Sequence, residues 1–219
     1  MIMISKPINT INTIMSVVKF SDVNVSNFTT GSVTKNNYGG QQVWLNYKDP
    51  ITSKKVFIQT PEMKAPFGIS EYIADGQPIP KYSLDVSFQD NDNFKQLIDS
   101  IDRMLIDHGV HESTTWFGKP MSVDVISELY RPLVKPSKQP EKYAPTMKFK
   151  LHPTRTKIWE RESKSPLTME DITKGSKVKI LFSISPIWFV NKQFGVSCTI
   201  EQLLATPNET TSNFVFEED

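Results

Sequence analysis

Cysteine is nearly missing from this chain, with one residue, Cys198, in 219. A lone thiol cannot close an internal disulfide, so a disulfide-stapled secreted scaffold is excluded. Cys198 lies in an apolar stretch and reads as a buried, inert thiol. A nucleophile needs a base beside it, and nothing in the sequence brings His108, His111 or His152 to it. Long hydrophobic runs are lacking too. No segment approaches the roughly 20 apolar residues of a membrane helix. The first twenty residues have neither the basic start nor the compact apolar centre of a signal peptide. An intracellular protein is expected. The chain also lacks an excess of one charge sign: its net charge is +1. No global field draws it to a polyanion, so any such site must come from local asymmetry.

The usual catalytic patterns are absent as well. Gly39-Gly40 stands alone, with no lysine-bearing helix start after it, so there is no phosphate loop. There is no Cys-x-x-Cys and no His-x-x-x-His. His108 and His111 have Gly109 between them and fall short of a zinc ligand set. Glu170-Asp171 and Asp90 with Asp92 are ordinary surface acids that single out no magnesium site. The expectation is a protein without catalysis, cofactor or metal.

What is present favours strands. Hydrophobic residues make up 38%, enough for a real core. The length suits one large β-rich domain, taken as residues 1–206, followed by a tail, 207–219. Residues 1–34 are rich in Val, Ile, Thr, Ser and Asn, which favours strands and turns. Residues 43–47 and 56–60, around the turn at Asp49-Pro50, read as a hairpin. Further strands are expected at 82–88, 146–151, 157–159 and 177–184, with a last hairpin at 188–196 leading into a strand through Ile200 and Leu203. Two helices interrupt them. In 92–108, Phe94, Leu97, Ile98, Ile101, Met104 and Leu105 recur at helical spacing. Asp92 or Asn93 would cap its start and Gly109 its end, and Lys95, Asp99, Asp102 and Arg103 would be its solvated face. The second helix spans about 121–130 and stops before Pro132. Residues 166–173 read as a short helix or turn.

Charge is concentrated in one place. Residues 131–164 hold ten Lys or Arg against three Glu, a local net of +7. A protein that holds single strands needs cations along its surface and aromatic faces on which bases stack. Within 146–151 lysines and apolar residues alternate, so Lys148 and Lys150 share one strand face while Met147, Phe149 and Leu151 share the other. Phe149 is therefore expected in the core. Lys148, Lys150, Arg155, Lys157 and Lys177 are the candidate phosphate contacts. Trp44, Tyr47, Phe57 and Trp159 are the candidate stacking residues. The tail carries no Lys or Arg, and two phenylalanines precede its closing acids. Phe214, Phe216, Glu217, Glu218 and Asp219 can mimic the ligand or offer a partner an acidic-aromatic peptide.

The order of elements then becomes familiar. A strand-rich body leads to a basic strand and a short helix before a Gly turn. Next come a long apolar strand, the hairpin Ile187-Trp188-Phe189-Val190-Asn191-Lys192-Gln193-Phe194-Gly195-Val196, a strand through Leu203 and an acidic tail. Over about 146–204 and the tail it resembles the single-stranded DNA-binding proteins of the T-seven-like phage type and their relatives in nucleocytoplasmic large DNA viruses. The resemblance implies an OB-fold, a five-stranded, partly open barrel that binds oligonucleotides, here with extra strands and one or two inserted helices. It further implies a role in viral DNA replication and recombination, in host cytoplasm or a viral replication compartment. The tail would then contact a replicative polymerase or helicase-primase. The inserted helices could plug the barrel or join a homodimer. The competing reading is a viral structural or scaffolding protein whose basic segment is an assembly surface.

Overall fold

The computed structural model describes residues 17–48, 53–73, 76 and 79–208. The strands expected within 1–16, the turn at Asp49-Pro50 and the tail residues Phe214, Phe216, Glu217, Glu218 and Asp219 lie outside the described residues. In chain order the first elements are β1 (Val17–Lys19), β2 (Phe28–Lys35), β3 (Gln41–Lys48), β4 (Ser53–Lys54), β5 (Phe57–Gln59), β6 (Met63–Lys64), β7 (Ile69–Tyr72) and β8 (Lys81–Ser87). Three helices follow: α1 (Asp92–His111), α2 (Ser113–Phe117) and α3 (Val123–Leu129). The remaining strands are β9 (Tyr130–Arg131), β10 (Val134–Lys135), β11 (Thr146–Leu151), β12 (Lys157–Glu160), β13 (Lys177–Ile184), β14 (Ile187–Val190), β15 (Gln193–Gly195) and β16 (Cys198–Thr206).

Five strands close a barrel. β13 pairs antiparallel with β16, β16 parallel with β11, β11 antiparallel with β8, β8 with β6, and β6 back with β13. Closure leaves these strands no free edge. Alternation fills the inside, broken once by a bulge between Ile200 and Leu203: Leu84 and Val86, Met147 and Phe149, Val178, Ile180 and Phe182, and Cys198, Ile200 and Leu203 are all buried. Phe149 is in the core, as its alternation with Lys148 and Lys150 requires. The fold is mostly β, an OB-type barrel with extra strands and inserted helices. β1 and β5 extend it beside β13, β12 lies parallel to β16, and β7 and β10 flank β8 and β11.

α1 closes the barrel. Its first turn brings Phe94 against Phe88 and against Phe182, whose ring points inward from β13. Ile98, Ile101 and Leu105 continue the buried stripe. Each such side chain contributes about 1.5–3 kcal/mol when fully buried. Two details differ from the sequence pattern. The N-cap is Asn91 rather than Asp92 or Asn93, with no side-chain cap bond. The helix also runs through Gly109 to His111, so Gly109 does not end it. Instead Gly109 is a point of close approach: a Cβ there would meet Ile126 Cγ2 of α3 and Phe194 Cζ of β15 at 2.9 Å. The second helix is α3, at Val123–Leu129, within the expected span. α2, a single turn from Ser113 to Phe117, is new. Residues 166–173 form turns and no helix.

A second sheet runs β2-β3-β14-β15-β9, with β4 on β3. Phe194 of β15 ties it to the helices, its ring lying among Trp116, Phe117, Tyr130 and Phe189 at centroid distances of 5.2–6.1 Å. The hairpin expected between 43–47 and 56–60 does not form. β3 pairs with β2 through a bulge between Thr30 and Val33. β5 instead joins the barrel, with Ile58 opposite Phe182 and Val18. The two runs look alike in β-propensity, and long-range burial assigns them to different sheets.

Candidate nucleic-acid interface

Outward positions of the barrel alternate with the core positions, and the strand register brings them into rows. One row runs Val17, Phe57, Ser183, Thr199 and Lys150 across β1, β5, β13, β16 and β11. The next runs Lys19, Gln59, Leu181, Gln202 and Lys157, ending on β12. A third holds Lys179, Leu204 and Trp159. A fourth holds Lys64, Lys177 and Thr206. Residues opposite each other on the antiparallel strands of such rows sit about 4.5–5.5 Å apart at Cβ. Sequence-distant cations and two aromatic rings thus share one stretch of outer barrel surface.

The expected site residues divide on this surface. Lys150, Lys157, Lys177, Phe57 and Trp159 are brought together. Trp159 is 36% exposed, and its backbone bridges Pro166. Phe57 is half-buried, with Lys55 Nζ 5.0 Å over its ring. Arg155 is exposed in the turn between β11 and β12, which Thr156 N–H closes by donating to His152 O at 3.0 Å. Lys148 lies on the outer face of β11, but its ammonium is matched by Asp85 at 2.7 Å and also donates to Ser83. Lys177 stands 3.9 Å from Glu62, which also holds Arg161. Among the described residues Lys150, Arg155 and Lys157 form no ion pair. Partial burial, and then the charge of Lys81, hold Lys150 below the usual lysine range.

Two candidates stand elsewhere. Trp44 is 51% exposed but projects from β3 in the second sheet. Tyr47 is no stacking residue. It is only 4% exposed, its ring lies edge-on to Phe28 at 4.9 Å, and its hydroxyl accepts from Asn24 N–H at 3.0 Å. Both lie on one β-prone run, but the alternation along β3 turns Trp44 outward and Tyr47 inward.

Several residues of the surface escaped the sequence. Lys179 follows Lys177 at strand spacing, and that two-residue period was the available signal. Tyr72 on β7 is exposed opposite Lys81 on β8. Glu201 had no signal, because it is the extra residue of a bulge in β16. Leu181 pairs with Gln202 and Phe182 with Ile200, which leaves Glu201 without a partner. Its Oε1 accepts from Lys55 Nζ at 2.8 Å and from Ser183 Oγ at 3.0 Å. Partial desolvation raises its pKa, but those two bonds and the charges of Lys55 and Arg155 outweigh it, leaving the carboxyl below the ordinary range.

Among the described residues no group of three or more His, Cys, Asp or Glu could hold a metal. No described helix is long and apolar enough to cross a membrane. Burial pushes the Cys198 thiol well up, as fits an inert core sulfur.

The fold and this surface define an OB-type barrel with a cation-rich, aromatic-bearing exterior. By sequence, residues 78–217 match the model of DUF5871, a family of unknown function, and the chain belongs to that family. No curated protein matches it. Among solved structures it is similar to gp2.5, a single-stranded DNA binding protein encoded by bacteriophage T7, at 16% identity and a TM-score of 0.48, covering 74% of this chain and 98% of that one. It is also similar to the single-stranded DNA-binding protein from bacteriophage Enc34. In complex with ssDNA that protein aligns at 12% identity and a TM-score of 0.43, covering 82% of this chain and 96% of that one. Without DNA it aligns at 13% identity and the same TM-score, covering 86% and 96%.

Proposed function

We propose that this chain binds single-stranded DNA without requiring a fixed sequence, performs no catalysis, and serves viral DNA replication and recombination. The observation that carries this reading is the outer barrel surface on which Lys150, Lys157, Lys177 and Lys179 lie beside Phe57 and Trp159. Lysines on neighbouring strands suit a phosphate backbone, and exposed rings suit unpaired bases. Arg155 extends the cationic track at one end. A duplex hides its bases, so the rings favour single strands.

The C-terminal segment complements this surface. Residues 209–219 contain Glu209, Glu217, Glu218 and Asp219 and no Lys or Arg. β16, which leads to them, ends with Thr206 opposite Lys177. The last described strand thus ends beside Lys177, one of the cations the segment would compete for. Free of them, its Phe214 and Phe216 would present an acidic-aromatic peptide to a polymerase or helicase-primase.

Titration of tryptophan fluorescence with oligo-dT and with duplex, at low and moderate salt, tests the reading. Single strands should bind more tightly than duplex. The affinity should fall with salt at a slope of about −0.7 per neutralised phosphate. Equal affinity for duplex, or insensitivity to salt, refutes it.

A further inference from the structure

Glu201 is out of place on a surface meant for a polyanion. The bulge sets Glu201 on β16 between Thr199, which pairs with Lys150 and with Ser183, and Gln202, which pairs with Lys157; Ser183 in turn pairs with Phe57. Lys55 and Ser183 both donate to Oε1. Among the described residues nothing donates to Oε2. The side chain is 31% exposed and the carboxyl stays ionised at neutral pH, so it repels phosphate and accepts hydrogen bonds.

We propose that Glu201 is a base-reading residue: its free Oε2 accepts a hydrogen bond from the amino group of a nucleobase stacked near Phe57, while Lys150 and Lys157 hold the phosphates. This rests on the single-strand reading above and adds a modest base preference to a sequence-tolerant surface. A carboxylate accepts well from the N4 amino group of cytosine. Thymine offers only N3–H, flanked by two carbonyl oxygens that repel a carboxylate. The backbone is kept off Glu201 by like charge, which orients the bases toward it.

Glu201→Gln discriminates sharply because it is isosteric. Lys55 can only donate, so the amide oxygen replaces Oε1 and the amide NH2 replaces Oε2. An acceptor facing the base becomes a donor. The experiment compares affinities for oligo-dC and oligo-dT of equal length in the unaltered full chain, in Glu201→Gln and in Lys157→Ala. The expected result is that the dC-to-dT affinity ratio falls roughly fivefold in Glu201→Gln and is unchanged in Lys157→Ala, which weakens both ligands alike. If Glu201→Gln strengthens both oligomers equally, Glu201 merely repels phosphate and the proposal is overturned. It is also overturned if the variant alters the preference between oligo-U and oligo-dU, because the carboxylate then meets the sugar and not the base. If the unaltered chain binds neither homopolymer better than duplex, the single-strand reading itself fails.

Discussion

The Tyr130 hydroxyl donates to Asp102 Oδ1 at 2.6 Å inside the protein, where both residues are buried. The backbone N–H of Leu133 reaches the same carboxyl, at 3.2 Å to Oδ1 and 3.1 Å to Oδ2. A helix position expected to face solvent thus anchors the segment that leaves α3. Truncation of one partner strands the other in a poorly hydrated place. Tyr130→Phe should cost about 1–3 kcal/mol in a denaturant titration. A loss within the few tenths of an ordinary surface change would show that the bond carries little.

Burial raises the Asp102 pKa above its ordinary 3.8, and the bonds from Tyr130 and Leu133 only partly offset this. The folded state therefore holds this proton over a pH range where the unfolded state has released it. Fewer protons bound in the unfolded state means that this group's contribution falls as pH rises from 3.8 through its folded pKa. Asp102→Asn removes that titration. Melting temperatures between pH 4 and 7 should decline more steeply, or rise less, in the unaltered protein than in the variant. Parallel profiles would exclude the linkage.

Gly109 offers a packing test. Alanine in mid-helix is favoured over glycine by about 1 kcal/mol on intrinsic propensity. Here the added methyl would press on Ile126 Cγ2 and Phe194 Cζ, both at 2.9 Å. Overpacking of that kind costs about 1–3 kcal/mol. Gly109→Ala should therefore lower the midpoint of chemical unfolding, and a raised midpoint would mean that α1 and α3 can separate at little cost.

What the sequence disclosed follows the reach of each signal. Alternation along 146–151 placed Phe149 inside and Lys148 and Lys150 outside, because the pleat alone dictates faces. The stripe of Phe94, Ile98, Ile101 and Leu105 marked α1 for the same kind of reason. Non-local facts stayed hidden. Nothing near Tyr47 announces that Phe28 covers it, and nothing near Lys148 announces Asp85, sixty-three residues away, as its partner. The bulge at Glu201 depends on how β13 and β16 register, which composition does not encode. Local net charge also overstated the free cation count, since Lys148 and Arg161 of that segment are paired.

That pairing makes the lysines unequal. Lys157→Ala should reduce the salt slope of oligo-dT binding by about 0.7, the loss of one phosphate contact. Lys148→Ala should change it less, because Lys148 already faces Asp85 at 2.7 Å. Trp159→Ala should weaken binding by about 1–3 kcal/mol, the worth of a stacked base. Trp44→Ala, in the other sheet, should leave it unchanged. A reversal of either pair, read from fluorescence or anisotropy titrations, would move the site off the barrel.

The acidic end supplies the last test. Deleting 209–219 removes Glu209, Glu217, Glu218 and Asp219 and leaves Asn208, whose side-chain amide donates to Lys174 O and whose backbone N–H donates to the Ser176 hydroxyl. The barrel should melt at the same temperature. If the segment competes with phosphate for Lys177 and its neighbours, the shortened chain binds oligo-dT more tightly, and the gain shrinks as salt screens the attraction. The competition is between like charges for one surface, so a Lys177→Ala background should blunt the gain. Unchanged affinity after deletion would limit the segment to partner contact, and weaker affinity would make it part of the binding surface.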